Sequence, residues 1–126
     1  MSAQKTILFV DDDAAFLGSA TELLAADGRF TVVGAARDGA EALKLAEEAI
    51  PDLVLMDISM PAVDGVEATR AIHGRLPELP VVMLTGRSGR EDADAAAAAG
   101  AVGYLRKDEL GAAHFADSLV ALVELS

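Results

Sequence analysis

The sequence predicts an α/β fold in which helices cover both faces of a parallel sheet. Five short apolar runs cross the chain, at residues 7–10, 30–36, 52–57, 81–85 and 101–105. Segments with helical spacing of apolar residues separate them, so each later strand is reached only by crossing a helix, which makes the strands parallel. The runs are continuous rather than alternating, as in strands buried on both faces. We expect one three-layer αβα sandwich.

Five helical segments alternate with these runs, at residues 14–26, 39–49, 66–75, 88–99 and 112–125. Caps and helix breakers set most of the predicted boundaries. These residues are Asp13 and Gly28 for the first helix, Asp38, Glu41 and Pro51 for the second, and Ser88, Glu91 and Gly100 for the fourth.

The length and composition fit a single domain, taken as residues 1–126. A chain of 126 residues with 52% hydrophobic residues can bury a full core without disulfide bonds or structural metal ions. It has no cysteine, which excludes disulfides and thiolate chemistry. Its apolar runs are far shorter than a membrane span, and its first residues do not resemble a secretion signal. We expect a cytoplasmic protein without a membrane partner.

The charge balance argues against direct binding of nucleic acid. The chain carries 21 acidic and 10 basic side chains, for a formal net charge of −11, and has no run of Lys or Arg. Such a chain repels the phosphate backbone. If the protein serves transcription, we expect that this domain does not touch DNA.

Side chains suited to chemistry stand at or just after the ends of four apolar runs. They are Asp11, Asp12 and Asp13 after the first run, Asp57 ending the third, Thr85 ending the fourth and Lys107 after the fifth. The carboxyl ends of parallel strands lie along one edge of the sheet, where open α/β folds bind ligands. The sequence therefore predicts a polar crevice at this edge.

This combination of groups indicates metal-assisted phosphoryl chemistry on an aspartate. Clustered carboxylates repel one another unless a cation intervenes, and Mg²⁺ prefers oxygen ligands. Asp57, alone at its strand end, is a plausible nucleophile, while Lys107 and Thr85 can contact phosphoryl oxygens. Each residue alone has a simpler explanation, such as a helix cap or β-propensity. Together at one edge, they favour a functional site.

The chain resembles the receiver domains of bacterial two-component response regulators over nearly its whole length. The motifs that carry the resemblance are VDDD at 10–13, LMDISMP at 55–61, DG at 64–65, LTG at 84–86 and GYLRK at 103–107. The resemblance implies a flavodoxin-like, doubly wound (βα)5 fold with strand order 2-1-3-4-5. It also implies a signalling switch that accepts a phosphoryl group from a sensor histidine kinase and controls an output domain or downstream protein.

By the same resemblance, Asp57 is the phosphoacceptor, and Asp11 and Asp12 are the acidic pair that holds Mg²⁺. Asp12 and Asp57 would ligate the ion directly, together with the backbone carbonyl of Ser59. Asp13 is better interpreted as a helix cap. The protein would label itself once from a phosphodonor and dephosphorylate itself, rather than turn over an external substrate as an enzyme does.

Two further residues resemble the family's switch pair, Thr85 and Tyr104, and Lys107 resembles the lysine that contacts the phosphoryl group. Two departures concern the neighbouring loops: Asp108 stands where proline is common, and Gly86 where alanine is usual. The first makes a cis bond after Lys107 unexpected. A homodimer that depends on phosphorylation is a further expectation for such a protein.

The motifs most resemble the subgroup usually fused to a LuxR-type helix-turn-helix. The chain is then either an excised receiver, which we favour, or a stand-alone regulator. A rival interpretation is a phosphatase of the haloacid-dehalogenase type, with Asp11 and Asp13 as its Asp-x-Asp pair. That interpretation leaves Asp57 unexplained. A pseudo-receiver that binds partners without phosphorylation is a third, disfavoured because no site residue is missing.

Overall fold

The computed structural model describes residues 5–57, 65–85, 90–110 and 113–124. Strands and helices alternate along the chain, as the sequence predicts. Their bounds are β1 Lys5–Val10, α1 Ala14–Asp27, β2 Phe30–Ala36, α2 Gly39–Ala49, β3 Leu53–Asp57, α3 Gly65–Arg75, β4 Val81–Thr85, α4 Arg90–Ala99, β5 Gly103–Arg106 and α5 Ala113–Glu124. A 3₁₀ turn, Lys107–Glu109, follows β5 directly.

The five strands form one parallel sheet in the order β2-β1-β3-β4-β5. The predicted α/β class, the parallel pairing and the flavodoxin-like order are confirmed. The register fixes which strand ends meet: Val10 pairs with Met56, and Asp57 pairs with Leu84. The chain order reverses direction at β1 and β3, so the carboxyl ends of these two central strands flank the crevice that such folds use.

Helices cover the two faces of the sheet with different side chains. We call the side under α1 and α5 the aromatic face, because all four phenylalanines of the chain pack there. Its main members are Phe9, Phe16, Phe30, Phe115, Ile7, Leu17, Leu24, Leu53, Leu55, Val82, Leu84 and Leu119. We call the side under α2, α3 and α4 the alanine face. Its main members are Ala36, Ala42, Ala46, Ala68, Ala96, Leu8, Val10, Val54, Met56, Ile72, Val81 and Met83.

The expectation that all strands are buried on both faces holds for β3 and β4 and for most of β1, but not for the two edge strands. Val33 in β2 is 45% exposed and Tyr104 in β5 is 41% exposed. A strand at the edge of a sheet has a neighbour on one side only. The register of β2 also shifts, because Ile7 pairs with Val32 while Leu8 pairs with Gly34. Such a bulge protects an edge from pairing with another chain.

The predicted caps of the first two helices are confirmed. The Asp13 carboxylate accepts hydrogen bonds from the backbone N–H groups of Ala15 and Phe16, at 3.0 and 3.1 Å. Gly28 ends α1 with φ of 86°, a conformation that favours glycine. At α2, the Asp38 carboxylate accepts from the Glu41 N–H at 2.8 Å.

The capping box at α2 differs from the standard form, in which the side chain at the third helical position accepts from the backbone N–H of the N-cap residue. The Glu41 carboxylate accepts from the backbone N–H of Arg37, rather than from that of Asp38. The helix ends at Ile50 in a left-handed conformation, φ 45°, directly before Pro51. Ser88, the predicted cap of α4, lies outside the described residues.

Several boundaries differ from the prediction by one or two residues. β1 begins at Lys5, two residues early, since the Lys5 N–H donates to the Arg29 carbonyl. β5 begins at Gly103 instead of residue 101, because the Ala101 N–H still bonds the Ala96 carbonyl at the end of α4. Within the described ranges, no helix has both the length and the hydropathy needed to cross a membrane.

Candidate functional site

The predicted acidic cluster forms at the carboxyl ends of β1 and β3. The Asp11 backbone N–H donates to the Ala36 carbonyl at 3.0 Å, which extends the pairing of β1 with β2 by one residue. Asp11 is fully buried at this position. Asp57 is the last residue of β3 and is 3% exposed, while Asp12 is half-buried. One carboxylate oxygen from each of the three lies within 4.8 Å of the others.

Asp11 and Asp13 have local roles that hold the loop after β1 in place. One oxygen of the Asp11 carboxylate accepts a hydrogen bond from the Asp13 backbone N–H at 2.9 Å. Asp13 turns away to cap α1, as described above. Of the three consecutive aspartates, Asp11 and Asp12 therefore lie in the cluster with Asp57, and the predicted role of Asp13 as a helix cap is confirmed.

Lys107 supplies a positive charge between two of these carboxylates. It begins the 3₁₀ turn after β5, and its Nζ atom lies 2.6 Å from Asp11 Oδ2 and 3.3 Å from Asp57 Oδ2. Its side chain is 23% exposed. The sequence predicted that Lys107 would stand at this edge, but not that Asp11 would be its nearer partner.

Burial and ion pairing act in opposite directions on the protonation of these groups. Burial raises the pKa of Asp11, although the Lys107 ammonium and the Asp13 N–H partly oppose this rise. Burial also disfavours the charged form of Lys107, but its contacts with Asp11 and Asp57 outweigh that effect and raise the pKa of Lys107. Lys107 therefore stays charged at neutral pH.

The residues of the cluster fit a hard divalent cation. Asp11 Oδ2 is buried and makes no hydrogen bond of good geometry, although the Lys107 ammonium lies close to it. Buried carboxylate oxygens normally accept hydrogen bonds or bind a cation. Asp11, Asp12 and Asp57 together offer three such oxygens at one point. Ser59, whose carbonyl was the predicted fourth ligand, lies outside the described residues.

Thr85 and Tyr104, the predicted switch pair, lie on neighbouring strands. Thr85 ends β4 and is 1% exposed; it follows Leu84, which pairs with Asp57. Tyr104 lies in β5 opposite Met83. Met83 and Thr85 are two residues apart in one strand, so their side chains lie on the same side of the sheet. Tyr104 lies on that side too, because it pairs with Met83. Gly86 lies outside the described residues.

One contact at the site was not predicted from the sequence. The ring of Phe16 in α1 lies beneath the Lys107 ammonium, with 4.7 Å between Nζ and the ring centroid. Phe9, fully buried in β1, packs against that ring at a centroid distance of 6.0 Å and an angle of 71°. The sequence identified Phe16 only as an apolar helical residue. Its position in the first turn of α1, four residues after Asp12, was the available signal.

Asp108, which replaces the proline common in the resembled family, has a partner of its own. Its carboxylate forms an ion pair with the guanidinium of Arg106, across Lys107. The peptide bond between Lys107 and Asp108 is trans, as expected. The ion pair joins the last residue of β5 to the 3₁₀ turn that carries Lys107.

Comparisons with known proteins agree with this fold and show the family. Residues 7–115 match the family described as response regulator receiver domain. The chain is 38% identical over 102 residues to the transcriptional regulatory protein DegU of Brevibacillus brevis, covering 81% of this chain and 43% of that protein. It is 43% identical over 105 residues to protein-glutamate methylesterase/protein-glutamine glutaminase 1 of Pseudomonas aeruginosa, covering 81% of this chain and 28% of that protein.

A solved structure of similar shape is the LuxR-family two-component response regulator from Aurantimonas sp. SI85-9A1. The TM-score is 0.90 and the identity 30%, and the match covers 97% of this chain and 86% of that one. The chain spans less than half the length of the two curated relatives, so the shared part is the receiver portion. The chain belongs to the family of response regulator receiver domains, the phosphorylation-dependent switches of two-component systems.

Proposed function

We propose that Asp57 is the residue that accepts the phosphoryl group, and that a sensor histidine kinase is its donor. The observation that carries the proposal is the position of the Asp57 carboxylate. It ends β3 beside the ammonium of Lys107, at 3.3 Å, and shares a cluster of carboxylate oxygens with Asp11 and Asp12. Asp57 stands at the end of its own strand, and the Lys107 ammonium beside it can neutralise the charge of an incoming phosphoryl group.

In the proposed reaction, an oxygen of Asp57 attacks the phosphorus of a phosphohistidine. The new O–P bond gives an acyl phosphate, and the N–P bond breaks with its electron pair passing to the imidazole, which takes up a proton. Lys107 neutralises charge on the transferred oxygens, because its ammonium is already held beside Asp57. The low exposure of Asp57 limits access of water to the new bond.

Mg²⁺ is the cation that we propose for the acidic cluster. Asp11 and Asp12 would hold it, with Asp12, Asp57 and the backbone carbonyl of Ser59 as direct ligands. When bound, the ion neutralises charge on the phosphoryl oxygens and helps to align the donor. The three carboxylates support this proposal, because Lys107 is the one positive group paired with them among the residues that the structure describes.

The phosphorylated protein then controls an output domain or a separate partner in the cytoplasm. One relative is named a transcriptional regulatory protein and another a methylesterase/glutaminase, which illustrates two kinds of output joined to a similar receiver. This domain acts by accepting the phosphoryl group and dephosphorylating itself, not by turning over an external substrate. A homodimer formed on phosphorylation would be one route to the output.

Thr85 and Tyr104 are the residues that we propose to report phosphorylation. Thr85 would donate a hydrogen bond to the phosphoryl group, and Tyr104, which is 41% exposed, would turn inward. A hydrogen bond to a charged acceptor contributes about 1.5–3 kcal/mol, enough to shift a two-state equilibrium. Thr85→Val keeps the shape but removes the donor. We expect it to accept phosphate without amide NMR shifts around Tyr104; full shifts would contradict the switch.

The test of the phosphoacceptor uses acetyl phosphate and intact-mass measurement. With Mg²⁺ present, one labile phosphoryl adduct should form; it should be absent without Mg²⁺ and in Asp57→Asn. Asp12→Asn should require much more Mg²⁺, whereas Asp13→Asn is the matched control, because asparagine caps helices about as well as aspartate. If Asp57→Asn kept the adduct, or Asp13→Asn proved the more damaging, the assignment would be wrong.

Incubation with a simple phosphate ester, a separate assay, excludes or supports the phosphatase alternative. A phosphatase would release phosphate from a simple ester over many cycles, while a receiver would be labelled once per chain. The structure gives the alternative little support, since Asp13, its proposed general acid, is occupied as the cap of α1.

A further inference from the structure

We propose that Phe16 is a positioning residue that holds the Lys107 ammonium over the acidic cluster through a cation–π contact. The inference deepens the proposed function, since it concerns the lysine that would meet the phosphoryl group. It rests on the coincidence of two contacts at one atom. Lys107 Nζ lies 4.7 Å from the Phe16 ring centroid and also beside the carboxylates of Asp11 and Asp57.

The contact distances fit the ordinary geometry of such an interaction. A cation within about 6 Å of an aromatic centroid is attracted by the negative face of the ring. An ammonium has three N–H donors, and in water a solvent molecule would bind whichever of them the protein leaves unpaired. Here the ring and two carboxylates all lie close to one ammonium, whose side chain is largely buried.

The core fixes the position of the ring. Phe16 is half-buried in the first turn of α1, beside the cap at Asp13. Phe9 meets it in an edge-to-face arrangement, at 6.0 Å and 71°. Phe9 is fully buried in β1, two residues before Asp11. The same strand therefore supports both the ring under Lys107 and the carboxylate that Lys107 contacts.

An aromatic ring allows the Lys107 ammonium to change partners more easily than a second hydrogen-bond acceptor would. When Asp57 becomes phosphorylated, the ammonium has to move from Asp11 toward the phosphoryl oxygens. A hydrogen bond depends strongly on angle, whereas the attraction of a cation to a ring face changes little over a small lateral shift. Phe16 would therefore hold Lys107 at the site while allowing it to change partners.

The test replaces Phe16 with a series of fluorinated phenylalanines, from one to three fluorines, and with leucine. Fluorination nearly preserves the shape of the ring but progressively removes the negative charge of its face. The rate of labelling by acetyl phosphate at saturating Mg²⁺ should fall stepwise along the series. For Phe16→Leu the loss should be roughly threefold to tenfold, the size expected of a partly buried cation–π contact.

A matched control separates this role from core packing. Phe30→Leu removes a fully buried ring of the same aromatic face. This ring lies on β2 and makes no cation–π contact with Lys107 in the described structure. The substitution should lower the midpoint of urea unfolding while leaving the labelling rate unchanged. A labelling rate that is flat along the fluorinated series but reduced in Phe16→Leu would mean that Phe16 only packs, and would overturn the proposal.

A second measurement does not depend on phosphorylation. The ring current of Phe16 should shift the ε-proton resonances of Lys107 upfield in the unphosphorylated protein, and this shift should vanish in Phe16→Leu. If labelling at Asp57 failed in every variant but the shift was present, the proposed function would fall while the contact stood. If the shift was absent from the parent protein, the contact itself would be refuted.

Discussion

The two faces of the sheet differ in the size of the side chains that cover them. Under α1 and α5, the aromatic face holds all four phenylalanines, and three of them are at most 1% exposed. Under α2, α3 and α4, the helices contribute mostly alanine, packed against methionine and aliphatic side chains of the strands. A buried ring removes far more apolar surface from water than a buried methyl group does. The aromatic face should therefore supply more of the stability per residue.

The groups of the site divide between the same two faces. Residues two positions apart in a strand point to the same face of the sheet. Asp11 stands two positions after Phe9, and Asp57 two positions after Leu55, so both aspartates lie on the aromatic face. Thr85 follows Met83 by two positions, on the alanine side. The proposed phosphoacceptor thus stands on the face with the larger side chains, and the proposed switch residue on the face with the smaller ones. We expect movement after phosphorylation to occur mainly on the alanine face.

The largest effect should come from removing a ring from the aromatic face. Phe115 in α5 is 1% exposed. Phe115→Ala should lower the free energy of unfolding by about 3–5 kcal/mol, through lost burial and the cavity left behind. Urea unfolding followed by circular dichroism measures it, since the chain has no tryptophan. A loss near 1 kcal/mol, about the average for any substitution, would contradict the claim that the aromatic face supplies more of the stability per residue.

A smaller effect should come from enlarging a side chain on the alanine face. Ala68 in α3 is 2% exposed. Ala68→Leu has no space to fill and should cost about 1–3 kcal/mol by forcing α3 away from the sheet. Ala97→Leu, at an exposed position of α4, is the matched control and should stay within about 0.5 kcal/mol. If the two variants were equally stable, the alanine face would not be closely packed.

The smallest effect should be the same on both faces, because it concerns helix caps rather than packing. Asp13→Ala at α1 and Asp38→Ala at α2 each remove a side chain that accepts backbone N–H bonds. Each should lower the free energy of unfolding by about 1 kcal/mol, while the asparagine variants should lose almost nothing. A much larger loss of Mg²⁺ affinity than of stability in Asp13→Ala would show that Asp13 belongs to the metal cluster.

The fold was predictable because its signals are local and mutually consistent. The continuous strands, the caps at Asp13 and Asp38 and the glycine at position 28 all indicate the same alternation of elements. The limits of β5 were less predictable. Competition between the end of α4 and the start of the strand decides them, and a hydrogen bond from Ala101 back to Ala96 is not visible in a pattern.

The site was predictable only as a set of strand-end groups. The sequence predicted that Asp11, Asp12, Asp57 and Lys107 lie at one edge. The structure gathers the three carboxylates within 4.8 Å of one another and pairs Lys107 with Asp11 and Asp57. It could not show that Lys107 lies nearer to Asp11 than to Asp57, which depends on the path of the 3₁₀ turn. Nor could it assign Phe16 to the site, since an apolar helical residue normally belongs to the core.

The central claim is that the phosphoryl group resides on Asp57, and chemical mapping tests it most directly. The protein is labelled with acetyl phosphate and Mg²⁺, then reduced with borohydride, which converts an aspartyl phosphate to homoserine. Peptide mass spectrometry then identifies the altered residue. The account predicts homoserine at position 57 alone, and none when Mg²⁺ is omitted. Homoserine at position 11, 12 or 13, with Asp57 unchanged, would contradict it.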